Sequence, residues 1–293
     1  MRKRFAAYFL AGLFLLLPFH LAAQQTDTTL PAEEGGAAVT YGELVRMGFE
    51  AMAADSLKKA EVLLRQALQE APGASGNALV YGQLAAIGER MGREQAALED
   101  YDRGLVLSPA NITLLQGRAS LYLKLGRTDR ARADYDEVLA QRSDEPEALL
   151  MRAYIFQSQR RFKEARADYE ALLKFQPTHE QAMLGLALVN SKDRRPREAM
   201  DLVNRAVELH PRSADAYALR AGFEADRKQY EMAEADYTEA IRLAPDNPSL
   251  YLARAQFFTR LKRTSDARED TQRAARLGAT AEEIAGALGM KAQ

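Results

Sequence analysis

The chain has 293 residues, of which 47% are hydrophobic and 28% charged, and its 40 basic and 41 acidic residues nearly cancel. This balance argues against the broad cationic surface that sequence-independent nucleic-acid binding needs, so no nucleic-acid partner is expected. The absence of Cys excludes disulfides, thiolate metal sites and a cysteine nucleophile, and three His leave little for a zinc site.

The first residues have the layout of a secretory signal peptide. Three basic residues at 2–4 precede the uncharged stretch Phe5–Leu17, and the alanine pair at 22–23 follows. This apolar run is short for a bilayer span, which takes about 20 residues. We therefore predict a signal peptide at 1–23 and a flexible spacer at 24–40, and an uncleaved membrane anchor is the alternative.

A period of 34 residues begins after the spacer. Six alanines follow it without exception: Ala97, Ala131, Ala165, Ala199, Ala233 and Ala267. Four prolines lie on the same grid: Pro109, Pro177, Pro211 and Pro245. With Ser75–Asn77 treated as an insertion, the chain from 41 to 281 divides into seven repeats: 41–74, 78–111, 112–145, 146–179, 180–213, 214–247 and 248–281.

Each repeat predicts a helical hairpin. Its apolar residues recur at intervals of three and four, in two runs that a short polar break separates. Positions 8 and 20 of the repeat are small, which lets the two helices approach closely, and position 24 carries a larger residue in most repeats. Pro at position 32 ends the second helix because it cannot donate the helical hydrogen bond. We refer to the seven repeats as hairpins 1 to 7.

Helix-start signals agree with this frame. Capping boxes are predicted at Thr40 with Glu43, Thr178 with Gln181, and Thr280 with Glu283. Asn247 and Pro146 mark two further helix starts. The last box predicts a short capping helix in the tail at 282–293, where Ile284 and Leu288 would cover the exposed end of the repeats, as such arrays require.

The repeats resemble the tetratricopeptide repeat family, which has bulky residues at positions 4, 7, 11 and 24, small ones at 8 and 20, and Pro at 32. Thr271 and Ala279 depart from this pattern in the last repeat. Asn190 and Glu224 replace the usual large residue at position 11, which predicts looser packing there. The resemblance implies an all-α, right-handed superhelical solenoid, whose first helices line a concave groove that holds peptide segments of other proteins.

Charged residues at positions 7 and 23 vary together. Four hairpins have Arg at 7 and Asp at 23: Arg118 and Asp134, Arg152 and Asp168, Arg220 and Asp236, and Arg254 and Asp270. Hairpin 5 has Leu186 and Leu202 instead, and hairpin 2 alone breaks the rule by combining Leu84 with Asp100. We predict an ion pair inside each of the four hairpins. The alternative is that both side chains are merely solvated.

Groove residues follow from the resemblance, because the family typically exposes positions 2, 5, 9 and 12 of each first helix. The predicted partner-binding residues are Gln116, Ser120, Leu150, Tyr154, Gln157, Leu184, Leu188, Leu252 and Gln256. The Lys and Asn of family members that clamp a terminal carboxylate are missing. The groove therefore suits an extended or helical peptide segment that has apolar side chains as anchors and polar groups that pair with the side-chain amides of the groove. The alternative is that the leucines pack between hairpins.

Catalytic signals are weak. Ser56–Lys59 matches S-x-x-K, but its companion motifs are absent and it lies at a predicted hairpin turn. No phosphate-binding loop, H-E-x-x-H motif or dinucleotide loop occurs. We therefore assign no catalytic, cofactor-binding or metal-binding residue and expect no cofactor.

The expected function is a non-catalytic protein-protein interaction scaffold, exported to the periplasm of a Gram-negative bacterium, with envelope proteins as partners. One alternative is an accessory or regulatory subunit of an envelope enzyme or secretion complex. Another is a cell-wall glycan binder, which the absence of Trp and the scarcity of groove aromatics disfavour. The sequence leaves the partner and the oligomeric state open.

Overall fold

The computed structural model describes residues 39–290, and every regular element in that range is an α-helix. The helices are α1 Tyr41–Ala53, α2 Leu57–Glu70, α3 Asn77–Arg90, α4 Glu94–Leu107, α5 Ile112–Lys124, α6 Thr128–Gln141, α7 Pro146–Ser158, α8 Phe162–Phe175, α9 Glu180–Lys192, α10 Pro196–Leu209, α11 Ala214–Asp226, α12 Tyr230–Leu243, α13 Pro248–Arg260, α14 Thr264–Arg276 and α15 Ala281–Ala287. The predicted signal peptide, nearly all of the predicted spacer and the last three residues lie outside the described residues. No helix within 39–290 is long and apolar enough to cross a membrane.

Each predicted repeat contains two of these helices, and α15 follows the seventh pair. The predicted all-α fold, with about seven helix-turn-helix repeats and a short C-terminal helix, is therefore confirmed. The helices form two compact bodies, and the division between them falls inside α7. We call the described residues up to Ala148 the N-terminal body and those from Leu149 onward the C-terminal body.

Small side chains let the two helices of a hairpin approach closely. Ala119 and Ala131 in hairpin 3 are completely buried, as are Ala221 and Ala233 in hairpin 6. In hairpin 1, a Cβ added to Gly48 would lie 2.6 Å from Cδ2 of Leu64. That distance is shorter than van der Waals contact, so a larger residue would push the two helices apart.

The predicted ion pair joins the two helices in all four hairpins that carry it. Each Arg donates from Nε and from one terminal nitrogen to the two carboxylate oxygens of its Asp, at 2.6 to 2.9 Å. The four Asp residues are only 4 to 8% exposed. Intrahairpin pairing is therefore confirmed, and the alternative of two solvated side chains is wrong.

Hairpin 2, the exception to the pairing rule, receives its cation from a neighbour. Asp100 is 2% exposed, and Leu84 cannot pair with it. Arg65 of α2 reaches across from hairpin 1 and donates to both Asp100 oxygens, at 2.8 and 2.7 Å. Because an unpaired buried carboxylate is strongly destabilising, this contact between hairpins compensates for the missing Arg.

Position 11 differs between hairpins 5 and 6. Asn190 is buried, and its Oδ1 accepts a hydrogen bond of 3.0 Å from Nε of Arg166 in hairpin 4, so the predicted loosening is not seen there. Glu224 is also buried, but within residues 39–290 its Oε2 has no hydrogen-bond partner. The two hairpins therefore place a satisfied amide and an unsatisfied carboxylate at equivalent positions.

Two of the three predicted capping boxes form. In both Thr40 with Glu43 and Thr280 with Glu283, the side-chain and backbone bonds are present. The predicted box at Thr178 is wrong, because α9 begins at Glu180 and the residue before it, His179, caps the helix by accepting from the backbone N of Ala182.

The C-terminal helix packs as predicted. Ile284 and Leu288 are partly buried and lie against the two apolar clusters that end the C-terminal body. Asn247 also acts as the predicted cap, since its Oδ1 accepts from the backbone N of Ser249 at 3.0 Å.

Candidate functional site

The predicted groove residues of α5 and α7 are partly exposed. Gln116 and Ser120 lie on α5 of the N-terminal body, and Nε2 of Gln116 makes a long hydrogen bond of 3.4 Å to Oε1 of Glu145. Leu150, Tyr154 and Gln157 lie on α7 in the C-terminal body. These five retain surface that a partner could contact, and their role in binding stays a prediction.

Leu184 and Leu252 are in the core. Leu184 is 1% exposed and packs with Met200 and Val203 of α10 and with Ala216 of the next hairpin. Leu252 is 3% exposed and packs with Ala274 and with Ala287 of α15. Each side chain therefore fills the space between a first helix and its neighbours. The alternative of packing between hairpins holds for these two, and we do not carry them forward as contact residues.

Leu188 and Gln256 lie together in one pocket of the C-terminal body. Three consecutive first helices, α9, α11 and α13, form its walls. Its volume is about 70 Å³, which is room for about two water molecules or one small apolar group. The lining residues are Leu188, Ser191, Lys192, Ala218, Leu219, Gly222, Phe223, Asp226, Tyr237, Ala253, Gln256, Phe257 and Arg260.

The pocket exists because hairpin 6 has small residues where its neighbours have large ones. Positions 5 and 9 of hairpin 5 are Leu184 and Leu188, whereas in hairpin 6 they are Ala218 and Gly222. A Cβ added to Gly222 would meet nothing closer than the Tyr237 hydroxyl, at 3.8 Å. The missing side-chain volume leaves open space above α11.

Tyr237 places an unused hydroxyl beneath this space. Two of the three equivalent tyrosines donate to a residue at position 12 of their own hairpin: Tyr101 to Glu89 at 2.8 Å, and Tyr169 to Gln157 at 3.1 Å. The hydroxyl of the third, Tyr135, has no hydrogen-bond partner among the described residues. Hairpin 6 has Ala225 at that position, and the Tyr237 hydroxyl has no hydrogen-bond partner within residues 39–290. Burial raises the pKa of Tyr237, so its hydroxyl stays protonated and can donate to a ligand.

The rim of the pocket is polar. Arg260 pairs with Asp226 at 3.0 Å, and this ion pair joins equivalent positions of hairpins 6 and 7. Lys192 makes no ion pair with any described residue, and Gln256 is partly exposed. An apolar floor with a few polar groups around it is the usual composition of a binding pocket.

The sequence analysis missed the residues of hairpin 6. It named no groove residue there, because Ala218 and Gly222 offer little side chain to contact a partner. The signal was nevertheless present: small residues at positions 5 and 9, between hairpins that carry leucines, indicate a gap in the surface. Phe223 and Phe257 at position 10 could be placed in the pocket only with coordinates.

Comparisons with known proteins agree with the helical repeat. The sequence profile of the tetratricopeptide repeat matches residues 117–180, 150–214, 182–248 and 224–282. No curated protein matches the chain. A crystal structure of a tetratricopeptide repeat protein from Parabacteroides merdae is 27% identical, with a TM-score of 0.73, and the match covers 85% of this chain and 97% of that one.

Two more distant structures share the fold. PilW, described as a type IV pilus biogenesis factor, is 19% identical with a TM-score of 0.58, over 70% of this chain and 94% of its own. PilF of Pseudomonas aeruginosa is 16% identical with a TM-score of 0.57, over 72% of this chain and 96% of its own. At these identities the likeness concerns the fold alone. The profile matches extend over residues 117–282, more than half of the sequence, and the chain therefore belongs to the tetratricopeptide repeat family.

Proposed function

We propose that the protein is a non-catalytic scaffold of the cell envelope that holds a segment of another protein against the first helices of its C-terminal body. The observation that carries this proposal is the pocket formed by α9, α11 and α13. A protein-protein interaction role is consistent with the repeat fold, because such folds present extended surfaces made by successive repeats.

The chemistry of the pocket defines the segment that it would hold. Phe223, Phe257 and Leu188 would surround an apolar side chain of the partner. The Tyr237 hydroxyl and the Gln256 amide would pair with backbone groups beside that anchor. The ion pair on the rim is exposed and would contribute to orientation more than to affinity.

Export rests on the N-terminal sequence. The basic residues at 2–4 and the apolar run at Phe5–Leu17 are typical of a secretory signal, and cleavage after Ala23 would leave Gln24 as the first residue. The likeness to PilW supports an envelope role only as an analogy of fold. Cell fractionation with N-terminal sequencing tests this part: recovery of an unprocessed chain from the cytoplasm would contradict export.

The pocket is tested by charging its wall. Ala218→Glu places a carboxylate among the apolar pocket residues, and we expect binding of the native partner to weaken by about tenfold or more. Leu209→Glu, at an exposed site at the end of α10, is the matched control. Circular dichroism establishes that both variants keep their helices.

The readout is photocross-linking in the native cell from a reactive residue in place of Gln256, which lines the same pocket. We expect it to cross-link a defined segment of one protein, and this capture should be lost when the chain also carries Ala218→Glu and kept when it carries Leu209→Glu. Equal capture by both Glu variants would contradict the assignment of the pocket.

A further inference from the structure

The turn inside each hairpin has the same backbone but different residues in the two bodies. Position 15 is in the left-handed region in every hairpin, and hairpins 2 and 3 fill it with Gly92 and Gly126, at φ of 68° and 70°. In hairpins 4 to 7 the same position holds a cation with φ between 60° and 64°: Arg160, Arg194, Lys228 and Lys262. We call these four residues the basic tip row.

The backbone alone does not favour this choice. The left-handed conformation after a helix suits Gly, because any residue with a Cβ is strained there. Long cationic side chains have no conformational advantage at such positions over Gly, which the N-terminal body uses twice. Asp55 of hairpin 1 shows that the position also accepts an acidic residue, at φ of 57°. The backbone therefore does not explain why four successive hairpins all have Arg or Lys there.

The four cations are also unused within the protein. All are exposed, and none has an ion pair or a side-chain hydrogen bond with any residue of 39–290. Their neighbours at position 16 behave differently: Arg161 pairs with Glu164, and Arg263 with Glu234 and Asp266. The cations of the basic tip row are thus unpaired within the described part of the chain, whereas the arginines next to them at position 16, Arg161 and Arg263, are ion-paired.

The edge that carries the row is strongly positive. The four turns at 158–161, 192–195, 226–229 and 260–263 contain ten basic and two acidic residues, a net charge of +8 in a chain whose total is −1. At the opposite ends of the same helices, the turns 175–179, 209–213 and 243–247 contain one Arg and one Asp. Four of these ten cations pair with carboxylates, some of which lie just outside the turns: Arg161, Arg195, Arg260 and Arg263. The other six, which include the basic tip row, place positive charge that is unpaired among the described residues on a single edge of the C-terminal body.

Contacts between the hairpins fix the spacing of the row. Arg166 of hairpin 4 bonds to Asn190 and Asp193 of hairpin 5, and Asp226 of hairpin 6 pairs with Arg260 of hairpin 7, just before the tips. Successive first helices that pack side by side lie about 10 Å apart. Neighbouring tips are therefore close enough to act on one anionic surface.

We propose that the basic tip row docks the C-terminal body on the anionic lipid headgroups of a membrane. A peptide that adds as a strand fits less well, because the backbone N–H groups at the tips already bond within the hairpin, as those of Arg161 to Phe156 O and of Arg195 to Asn190 O do. A headgroup layer needs no such partners and attracts each exposed cation separately. Tyr230 is exposed beside Lys228, and an aromatic side chain of this kind suits the membrane interface.

The test measures partition of the full chain into vesicles of phosphatidylcholine with and without about one third phosphatidylglycerol. The variant changes Arg160, Arg194, Lys228 and Lys262 together to Gly, the residue that hairpins 2 and 3 have at the same φ. Because Gly relieves strain, the melting temperature should not fall. Partition into the anionic vesicles, relative to the neutral ones, should fall by about 100-fold.

A second variant has the same change of net charge elsewhere. Exposed cations near the C-terminal ends of second helices become Gln: Lys174, Arg205, Arg212 and Arg276. We expect this control to bind within about threefold of the wild type, since its cations lie away from the tip row. Equal losses in the two variants would reduce the effect to net charge and overturn the proposal.

Other results would also overturn it. The tip row has no role if the wild type binds neutral and anionic vesicles equally, or if the Gly variant binds as the wild type does. Binding to polyglutamate without binding to anionic vesicles would assign the row to an acidic protein instead. The pocket variant Ala218→Glu should bind vesicles normally, so this test is independent of the proposed groove function.

Discussion

Hairpins 5 and 6 have different residues at positions 7, 11 and 23, where the two helices of a hairpin meet their neighbours. Hairpin 5 has leucines at 186 and 202, the positions of the ion pair in hairpin 6, and its polar residue at position 11, Asn190, bonds to Arg166 of the preceding hairpin. Hairpin 6 joins its helices with an ion pair, and its polar residue at position 11, Glu224, is left with an unsatisfied oxygen.

The difference teaches that a repeat tolerates buried polar groups when a neighbour supplies the partner. Asn190 and Asp100 are both satisfied by an Arg from the hairpin before them. Glu224 has no such donor, and desolvation by burial, together with the nearby Asp236, raises its pKa to about 7. Hairpin 6 therefore has both the pocket and an unsatisfied buried carboxylate. Hairpin 5 has buried leucines at positions 5 and 9 instead of the small residues that line the pocket.

The largest effect is expected from breaking the ion pair of hairpin 6. Arg220→Leu leaves Asp236 buried without a partner and should lower the free energy of unfolding by about 3 to 5 kcal/mol. Replacing both residues by Leu reproduces the pair of hairpin 5 and should restore most of that loss. Urea unfolding followed by circular dichroism measures both. If the single and double variants are equally unstable, the pair does not behave as a buried ion pair.

A smaller effect is expected from replacing a glycine of hairpin 5 and a glycine of hairpin 6 by Ala. A Cβ at Gly185 in hairpin 5 would lie 2.6 Å from the hydroxyl oxygen of Tyr169, whereas at Gly222 in hairpin 6 the nearest atom is 3.8 Å away. Gly185→Ala should therefore destabilise the protein by about 1 to 3 kcal/mol through overpacking.

Gly222→Ala serves as the matched variant. It should stabilise the protein by about 0.5 to 1 kcal/mol, because Ala favours the helix and meets no obstruction. Thermal melts measure the change in melting temperature for both variants. A change of the same sign in Gly185→Ala and Gly222→Ala would show that the space beside the two glycines does not differ as described.

A dependence on pH that belongs to hairpin 6 is also expected. Glu224 faces Asp236 and Tyr237 of α12, and its own helix brings Arg220 and Arg227 near it. Because the folded-state pKa of Glu224 lies above that of the unfolded chain, its stabilising contribution is complete below about pH 4.5 and is lost as pH rises to about 7. The slope is at most about 1.4 kcal/mol per pH unit.

Glu224→Gln should flatten this part of the stability profile and stabilise the protein above pH 7, as unfolding at pH 5, 6, 7 and 8 would show. Glu231→Gln, at an exposed site on α12, is the control and should leave the slope unchanged. An unaltered slope in Glu224→Gln would assign the pH dependence to other groups.

Contacts inside one hairpin could be predicted from the sequence. Arg118 and Asp134 are 16 residues apart, and this separation recurs in every paired hairpin, so covariation of the two positions was enough to infer the bond. The small residues at positions 8 and 20 could be assigned for the same reason. Residues that face each other within one repeat keep a fixed spacing along the chain.

Contacts between hairpins could not be predicted in this way. Gln116, Ser120 and Leu150 stay partly exposed, whereas Leu184 and Leu252 are buried, although the resemblance assigns all five to groove positions. Their burial depends on the size of the side chains on neighbouring hairpins. The period of 34 residues carries no information about that.

The sequence by itself determined the α-helical hairpins, their approximate number and the ion pairs inside them, because all of these follow from a local period. Only the tertiary structure decided which leucines are covered, that Arg65 compensates Asp100, and that Ala218 and Gly222 open a pocket over Tyr237. Those features depend on the angle and distance at which one hairpin packs on the next. Close packing makes that angle and distance a property of several side chains at once rather than of any single segment.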